Sequence, residues 1–551
     1  MLKMRTKIIF ALVMLVAGIM IAVPALHDGM AGGSGTLRIV TEEEFAQGRD
    51  RGEPAAFSAS SLRWREGLPA CDEGSSIVYI PCGEKEAEDI EELLSGLKPV
   101  GKGTEILLAP DEKLRMPLQA VKEGHVFRAI LINSGRVSEF GIVLTGLPVL
   151  CMQKTDDSEI VRKEDHSGQI RLLAPLETIA GKDPAPSAAD SGVLRCVFHV
   201  RGNVSSLLEK KPYKISLKND RGEKKKVSLL GMRSDDDWIL NPLFTDSSRI
   251  REMTAYSLWD KISALADVPQ KSSRMQYVEL VLDNSYQGIY ALSEPVDGKQ
   301  TGLGEGDLLY KIDRWDREYP YLDLYDESAG KTEILNGHGL PCVEITYPRQ
   351  WDRTASWDPM KAYHEFSFRT QDPETLRQAG LEIDMDSVVT LSLYCAMTHA
   401  MDNNWKNSLL IAKKTGEGKY RLYRTIWDLN YVFGDVFVYK PEEGYTAFSA
   451  ASAMKWKPFE DTTYDYEAFA SADPSAAELT AQKWKQWRKG GIDADMVCLL
   501  AKEYETKLRD SGAIARENAR WPQQTTFDDS LERMETWIRR RFQYLDGYFG
   551  L

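Results

Sequence analysis

The chain has 551 residues, 43% of them apolar and 10% aromatic, which excludes disorder as the default and suits two domains with sizeable cores. Its net charge of −14 leaves no basic excess to neutralise phosphates, so a general nucleic-acid binder is excluded too. A local run such as Lys224-Lys225-Lys226 reads as solvated turn residues.

At the N-terminus, Lys3, Arg5 and Lys7 precede the uncharged stretch Ile8 to Leu26. Residues 1–30 are expected to act as a cleavable signal peptide or a membrane anchor, with the remainder exported and touching the membrane only through this segment. "GMAGGSG", Gly29 to Gly35, follows as a spacer. The seven cysteines contain no CxxC pair, which argues against a zinc cluster. Cys71 and Cys82 could bridge in an oxidising space, but small buried apolar roles are expected for most of them.

Residues 36–180 carry the strand-like runs "SIVYIP", "EILLAP", "HVFRAILI" and "FGIVLTGLPVL", separated by turn-rich stretches. "EKEAEDIEELLSGL" reads as an amphipathic helix with Ile90, Leu93, Leu94 and Leu97 on one face. A small β-rich, sandwich-like accessory domain without a catalytic constellation is expected. Residues 181–192, rich in Pro, Ala, Ser and Gly, read as a linker.

From residue 193 the pattern changes. "VLRCVFHVRGN" reads as a strand and a Gly-containing turn. In "KKPYKISLK", Tyr213, Ile215 and Leu217 alternate with Lys214, Ser216 and Lys218, the mark of a half-buried strand presenting lysines. Asp246 or Ser247 can cap a helix using Ile250, Ala255, Leu258 and Ile262 as its apolar face. "MQYVELVLDNSYQGIYALSEPVD" then reads as a hairpin turning at Asp283-Asn284. Strand, lysine-bearing strand, helix and hairpin is the order of a protein-kinase small lobe.

Further on, Asp402 is followed five residues later by Asn407, then by an apolar strand, a Gly416–Gly418 turn, a return strand and Asp428. Phosphoryl transfer needs a carboxylate beside the attacking hydroxyl and oxygen ligands for magnesium, and this spacing can supply both. Taken alone, Asp402 reads as an exposed loop residue or a helix cap.

Seven or eight ordered blocks carry a resemblance: "RGNVSS…KKPYKISLK", "DDDWILNPLFTDSSRIREMTAYSLW", "VELVLDNSYQGIYALSEPVD", "GDLLYKID", "VEITYP", "MDNNWKNSLLI", "IWDLNYVFGD" and "WIRRRFQYLDGYFG". Over residues 193–551 the chain resembles the CotH kinase family. The resemblance implies an α+β fold with an atypical protein-kinase-like two-lobed domain, and ATP-dependent phosphorylation of Ser or Thr on a secreted, surface or spore-coat protein. By the same resemblance Asp402 would be the catalytic Asp, while Asn407 and Asp428 would hold Mg or Mn. Trp427 would stack on adenine or belong to the core. Lys214, with Lys211 as competitor, would pair with phosphates. Tyr310 would wall the adenine site opposite Trp427, and Arg251 would reach a phosphate or fix its helix. Glu252 could pair with Lys214. The family resemblance comes without a G-x-G-x-x-G loop, and Gly202 alone stands near its place. A catalytically inactive scaffold and an adhesin are the competing readings.

Overall fold

The computed structural model describes residues 37–551 except 66, 157, 163, 176–190, 203–204, 267–269, 271, 313–324, 327–330, 334–340, 349–356, 435, 441–443, 449–462 and 524. The N-terminal apolar segment, most of the expected linker and nearly all of the insert Asp313 to Gly330 lie outside these residues. Among the described residues, no helix is long and apolar enough to cross a membrane.

The first unit is built on one mixed sheet. Its strands are β1 (Leu37–Ile39), β2 (Glu53–Pro54), β4 (Ala70–Asp72), β5 (Ile77–Pro81), β7 (Glu105–Leu108), β8 (Val126–Asn133) and β9 (Arg136–Thr145), while β3 (Leu62–Trp64) pairs separately with β6 (Leu97–Pro99). The order is β1-β7-β8-β9-β5-β4, with β2 on β9 and parallel pairing at β1–β7, β5–β9 and β2–β9. The expected sandwich is therefore replaced by a helix-covered sheet. Phe45, from the helix Glu42–Arg49, packs with Leu107, Ile130 and Ile132, whereas Leu93, Leu94 and Val121 from two other helices pack with Ile106, Leu108 and Leu131. Both faces are buried, so these strands read as continuous apolar runs whose partners sequence alone does not name. The helix expected over residues 84–97 is split into Glu84–Ala87 and Ile90–Ser95, the second capped by Asp89. Cys71 and Cys82 are separate buried thiols.

Next comes a closed barrel of β10 (Val149–Lys154), β11 (His166–Leu173), β12 (Leu194–Val200), β13 (Tyr213–Lys218), β14 (Asp237–Asn241), β15 (Met275–Leu282) and β16 (Ser285–Ser293). Two of its strands precede the expected linker. The run "FGIVLTGLPVL" is broken at Gly146-Leu147-Pro148, so that β9 joins the first sheet while β10 pairs with β11 and with β15. The inward-facing residues are the expected ones: Tyr213, Ile215 and Leu217 are buried in the barrel core and their lysine-bearing neighbours face outward. Asp283 and Asn284 both take positive φ, 48° and 56°, as a two-residue hairpin turn requires.

A second sheet follows, ordered β18-β19-β20-β17-β22-β23-β21: β17 (Leu308–Ile312), β18 (Tyr325–Asp326), β19 (Lys331–Glu333), β20 (Pro341–Tyr347), β21 (Leu381–Ile383), β22 (Ser408–Gly416) and β23 (Lys419–Ile426). Helix α1 (Arg251–Ser263) lies between barrel and sheet. Its Ala255, Leu258 and Ile262 share one core with Tyr277 and Ile289 of the barrel, with α2 (Met385–Thr398), α3 (Ala494–Asp510), and α5 (Phe527–Phe549). The short helix α4 (Ala513–Arg520) brings Glu517, 1% exposed, to the buried Lys210 and Arg249 and to the backbone N–H of Ile289, at 2.7–3.0 Å. A single carboxylate thus ties the barrel wall to the segment entering α1 and to the C-terminal helices.

Candidate active site

Asp402, Asn407 and Asp428 meet where α2 ends and the β22–β23 hairpin begins and closes. Helix α2 stops at His399, which adopts φ 58° and so directs the chain away from the helix. A short 3-10 turn, Met401–Asn403, carries Asp402. Asn407 enters β22 with its N–H bonded to Ile312 O of β17 at 2.9 Å. The return strand β23 ends two residues before Asp428. Asn407 and Asp428 both have positive φ, 53° and 56°, a region non-glycine residues visit rarely and which clusters at functional sites.

Asn403 staples the two segments. It is 1% exposed, and its Nδ2 donates to Asn407 O at 2.7 Å and to Trp427 O at 2.6 Å. Within the loop, Asn407 Nδ2 donates to Asp402 Oδ2 at 2.5 Å, and Lys406 Nζ stands 3.1 Å from the same oxygen. From α1, the Tyr256 hydroxyl accepts the Asp428 N–H at 3.1 Å.

The two carboxylates are close enough for the charge of one to act on the other. Burial pushes the Asp428 carboxyl above its usual range and the Asp402 charge pushes it further, while Arg201, Lys406 and Lys311 oppose the rise. Glu252, one helical turn before Tyr256 on α1, is raised to about 8, first by burial and then by Asp428. Its Oε2 accepts from Asn241 Nδ2 at 2.6 Å. Among the described residues no three His, Cys, Asp or Glu converge as a metal cluster. The set at hand is two carboxylates and an amide, hard oxygen donors of the kind that fit magnesium or manganese.

A family model described as CotH kinase protein matches residues 198–545, more than half of the chain. The chain belongs to the CotH kinase family. A search of curated proteins finds no match. The CotH match begins inside β12, yet β10 and β11, which precede it, close the same barrel. Membership implies a kinase-like role, and the remaining expected residues can be placed against it.

Trp427 lies partly buried at the edge of a small apolar patch of Leu309, Leu409 and Ile411. Two cations lie over its indole: the Arg201 guanidinium at 5.8 Å and the Lys311 ammonium at 5.7 Å from the ring centroid. Tyr310 is a correction. It is fully buried on the other face of β17, packed near Trp357 at 6.0 Å, so it cannot wall a cleft beside Trp427. The strand alternates, and its neighbours Leu309 and Lys311 are the residues that face the indole.

Arg251 is also corrected in part. It is 2% exposed; Nη1 meets Asp246 Oδ1 at 2.5 Å and Ser530 Oγ at 2.7 Å, which locks the start of α1 to α5 and leaves no reach to a phosphate. Lys211 Nζ donates to Ser206 O at 3.0 Å, and Lys214 pairs with Asp237 at 3.7 Å. Glu252 is held by Asn241 rather than by Lys214. Sequence reasoning missed Asn403, Tyr256, Arg201 and Lys311. For Arg201 a signal was present, because it immediately precedes Gly202 at the one turn that resembles a phosphate loop.

Proposed function

We propose that this chain is an ATP-dependent protein kinase that uses magnesium or manganese to transfer the γ-phosphoryl group to a Ser or Thr hydroxyl of an exported, surface or spore-coat protein. The convergence of Asp402, Asn407 and Asp428, stapled by Asn403, carries this reading. In it, the barrel with α1 acts as the small lobe, and the β17–β23 sheet with its helices acts as the large lobe. The expected N-terminal address would take the enzyme out of the cytoplasm.

Asp402 would accept the proton of the attacking hydroxyl as that oxygen bonds to the γ-phosphorus. The bond from the γ-phosphorus to the bridging oxygen breaks, and ADP departs. Lys406, 3.1 Å from Asp402, holds the carboxylate oriented between turnovers. Asn407 and Asp428 would hold the divalent ion, which when bound neutralises charge on the transferring group. Their left-handed backbones, fixed by Asn403 and by Tyr256, hold them in place before substrate arrives, so little reorganisation is left for the reaction.

The test is incubation of the purified chain with γ-labelled ATP and magnesium or manganese, alongside Asp402→Ala and Asp428→Ala. Label incorporated by the wild type and lost in both variants supports the kinase. Nucleotide binding without transfer supports an inactive scaffold. Equal label in all three overturns the assignment.

A further inference from the structure

We infer that Arg424 is a positioning residue: with Tyr363 and Asp465 it forms a buried relay that fixes the loop carrying Asp402 and Asn407. This rests on the reading of that loop as catalytic and names the groups that hold it from beneath.

Arg424 stands on β23 where the strand period calls for an apolar side chain, since Leu422 and Ile426 on the same face are both buried in cores. It is fully buried, as are Tyr363, Ser408 and Asp465. Arg424 Nη1 donates to the Tyr363 hydroxyl at 2.7 Å, and that hydroxyl donates to Asp465 Oδ2 at 2.8 Å. Arg424 Nε lies 3.6 Å from the same carboxylate oxygen, so the hydroxyl between the two charges makes the shorter contacts. Arg424 Nη2 donates to Ser408 Oγ at 3.0 Å, and Ser408 Oγ donates to Trp405 O.

The middle of the loop is held by the same groups. Trp405 is 2% exposed and stacks on Tyr363, with 5.8 Å between ring centroids. The Arg424 guanidinium lies 5.8 Å from the Trp405 centroid. Asp465 lies in the first turn of the helix Tyr464–Ala472, and the Tyr464 N–H bonds to Asn404 O at 3.3 Å. The loop is thus gripped at Asn404 and Trp405 on one side of Asn407 and at Ser408 on the other. Stability is a poor reason for burying these charges. Apolar residues of similar volume often replace a buried ion pair without loss, because both ions have given up their hydration. Apolar residues cannot fix Ser408 and Tyr363 by direction, whereas one planar guanidinium does both.

The experiment uses the full chain as wild type, Tyr363→Phe, Arg424→Lys and the apolar double variant Arg424→Met with Asp465→Leu. Urea unfolding reads stability, and labelled ATP reads kcat and KM. Hydrogen exchange reads the amides of Asn403 and Asn407, which bond to Ala400 O and Ile312 O. The double variant should match the wild type in stability. In it and in Tyr363→Phe, exchange at the two amides should quicken and kcat should fall, each by roughly tenfold to a hundredfold, the range for a lost hydrogen bond to a charged group. KM for ATP should stay unchanged. Arg424→Lys keeps the charge without the fork and should recover only part of the loss. Wild-type exchange and kcat in both Tyr363→Phe and the double variant would overturn the relay and leave the kinase reading standing. Exchange that quickens equally in the amides of β13, with a matching loss of stability, would overturn it as well, since the relay would then be structural alone. A double variant that does not fold leaves the same decision to Tyr363→Phe. If the wild type transfers no phosphate, the kinase reading fails, and unchanged loop exchange in the variants would sink the relay independently.

Discussion

Replacing Glu252 by glutamine should convert a pH-sensitive stability into a flatter one. In the folded protein burial and Asp428 raise this carboxyl from 4.5 to about 8. Between those values the folded chain holds a proton that the unfolded chain has released. The contribution of this group to stability is therefore greatest below pH 4.5 and falls as pH rises toward 8, by about 1.4 kcal/mol per pH unit. At pH 7 the accumulated loss is about 3 kcal/mol, and it approaches about 5 kcal/mol above pH 8. The Glu252→Gln side chain would keep an acceptor for Asn241 Nδ2 and has no proton to lose. The assay is urea unfolding of both proteins at pH 5, 6, 7 and 8, followed by tryptophan fluorescence, since Trp259 sits on the same helix and is 1% exposed. The variant should match the wild type near pH 5 and exceed it progressively toward pH 8. Two curves that stay parallel across this range would refute the argument that Glu252 is held protonated by burial beside Asp428.

Glu517→Ala would strand Lys210 and Arg249, both buried, and should cost about 3–5 kcal/mol in chemical unfolding; a loss under about 1 kcal/mol would show that solvent reaches the network. Gly288→Ala should damage the same place, because its φ is 82° and a Cβ would stand 2.0 Å from Glu517 Oε2; wild-type stability in that variant would contradict the packing described. Asn403→Ala removes donors from Asn407 O and Trp427 O and should cost about 1–3 kcal/mol while lowering phosphotransfer more than folding. Unchanged transfer in that variant would show that the staple does not position the site.

Local features were legible where a short-range rule applies. The alternation in β13, the Asp283-Asn284 turn and the apolar face of α1 follow from periodicity and turn chemistry, and the structure reproduces each. The Asp402–Asn407–Asp428 grouping came from an ordered resemblance, and the family match covers that region. Features set by distant pairing were not legible. The assignment of β10 to the barrel depends on partners at Leu280 and Leu172. Arg251 is consumed by Ser530, 279 residues away in sequence, which no local pattern records. Tyr310 failed by one step of a strand register. In a two-residue period that exchanges the cleft face for the core.

The central claim is that Asn407 and Asp428 hold one divalent ion with a nucleotide beside Asp402, and manganese binding tests it most directly. Electron paramagnetic resonance of Mn²⁺ titrated into the wild type with ATP should show bound ion depleted from the free signal. Asp428→Asn should abolish most of that binding. Retention of full manganese affinity by Asp428→Asn would contradict the account, because the ion would then lie elsewhere.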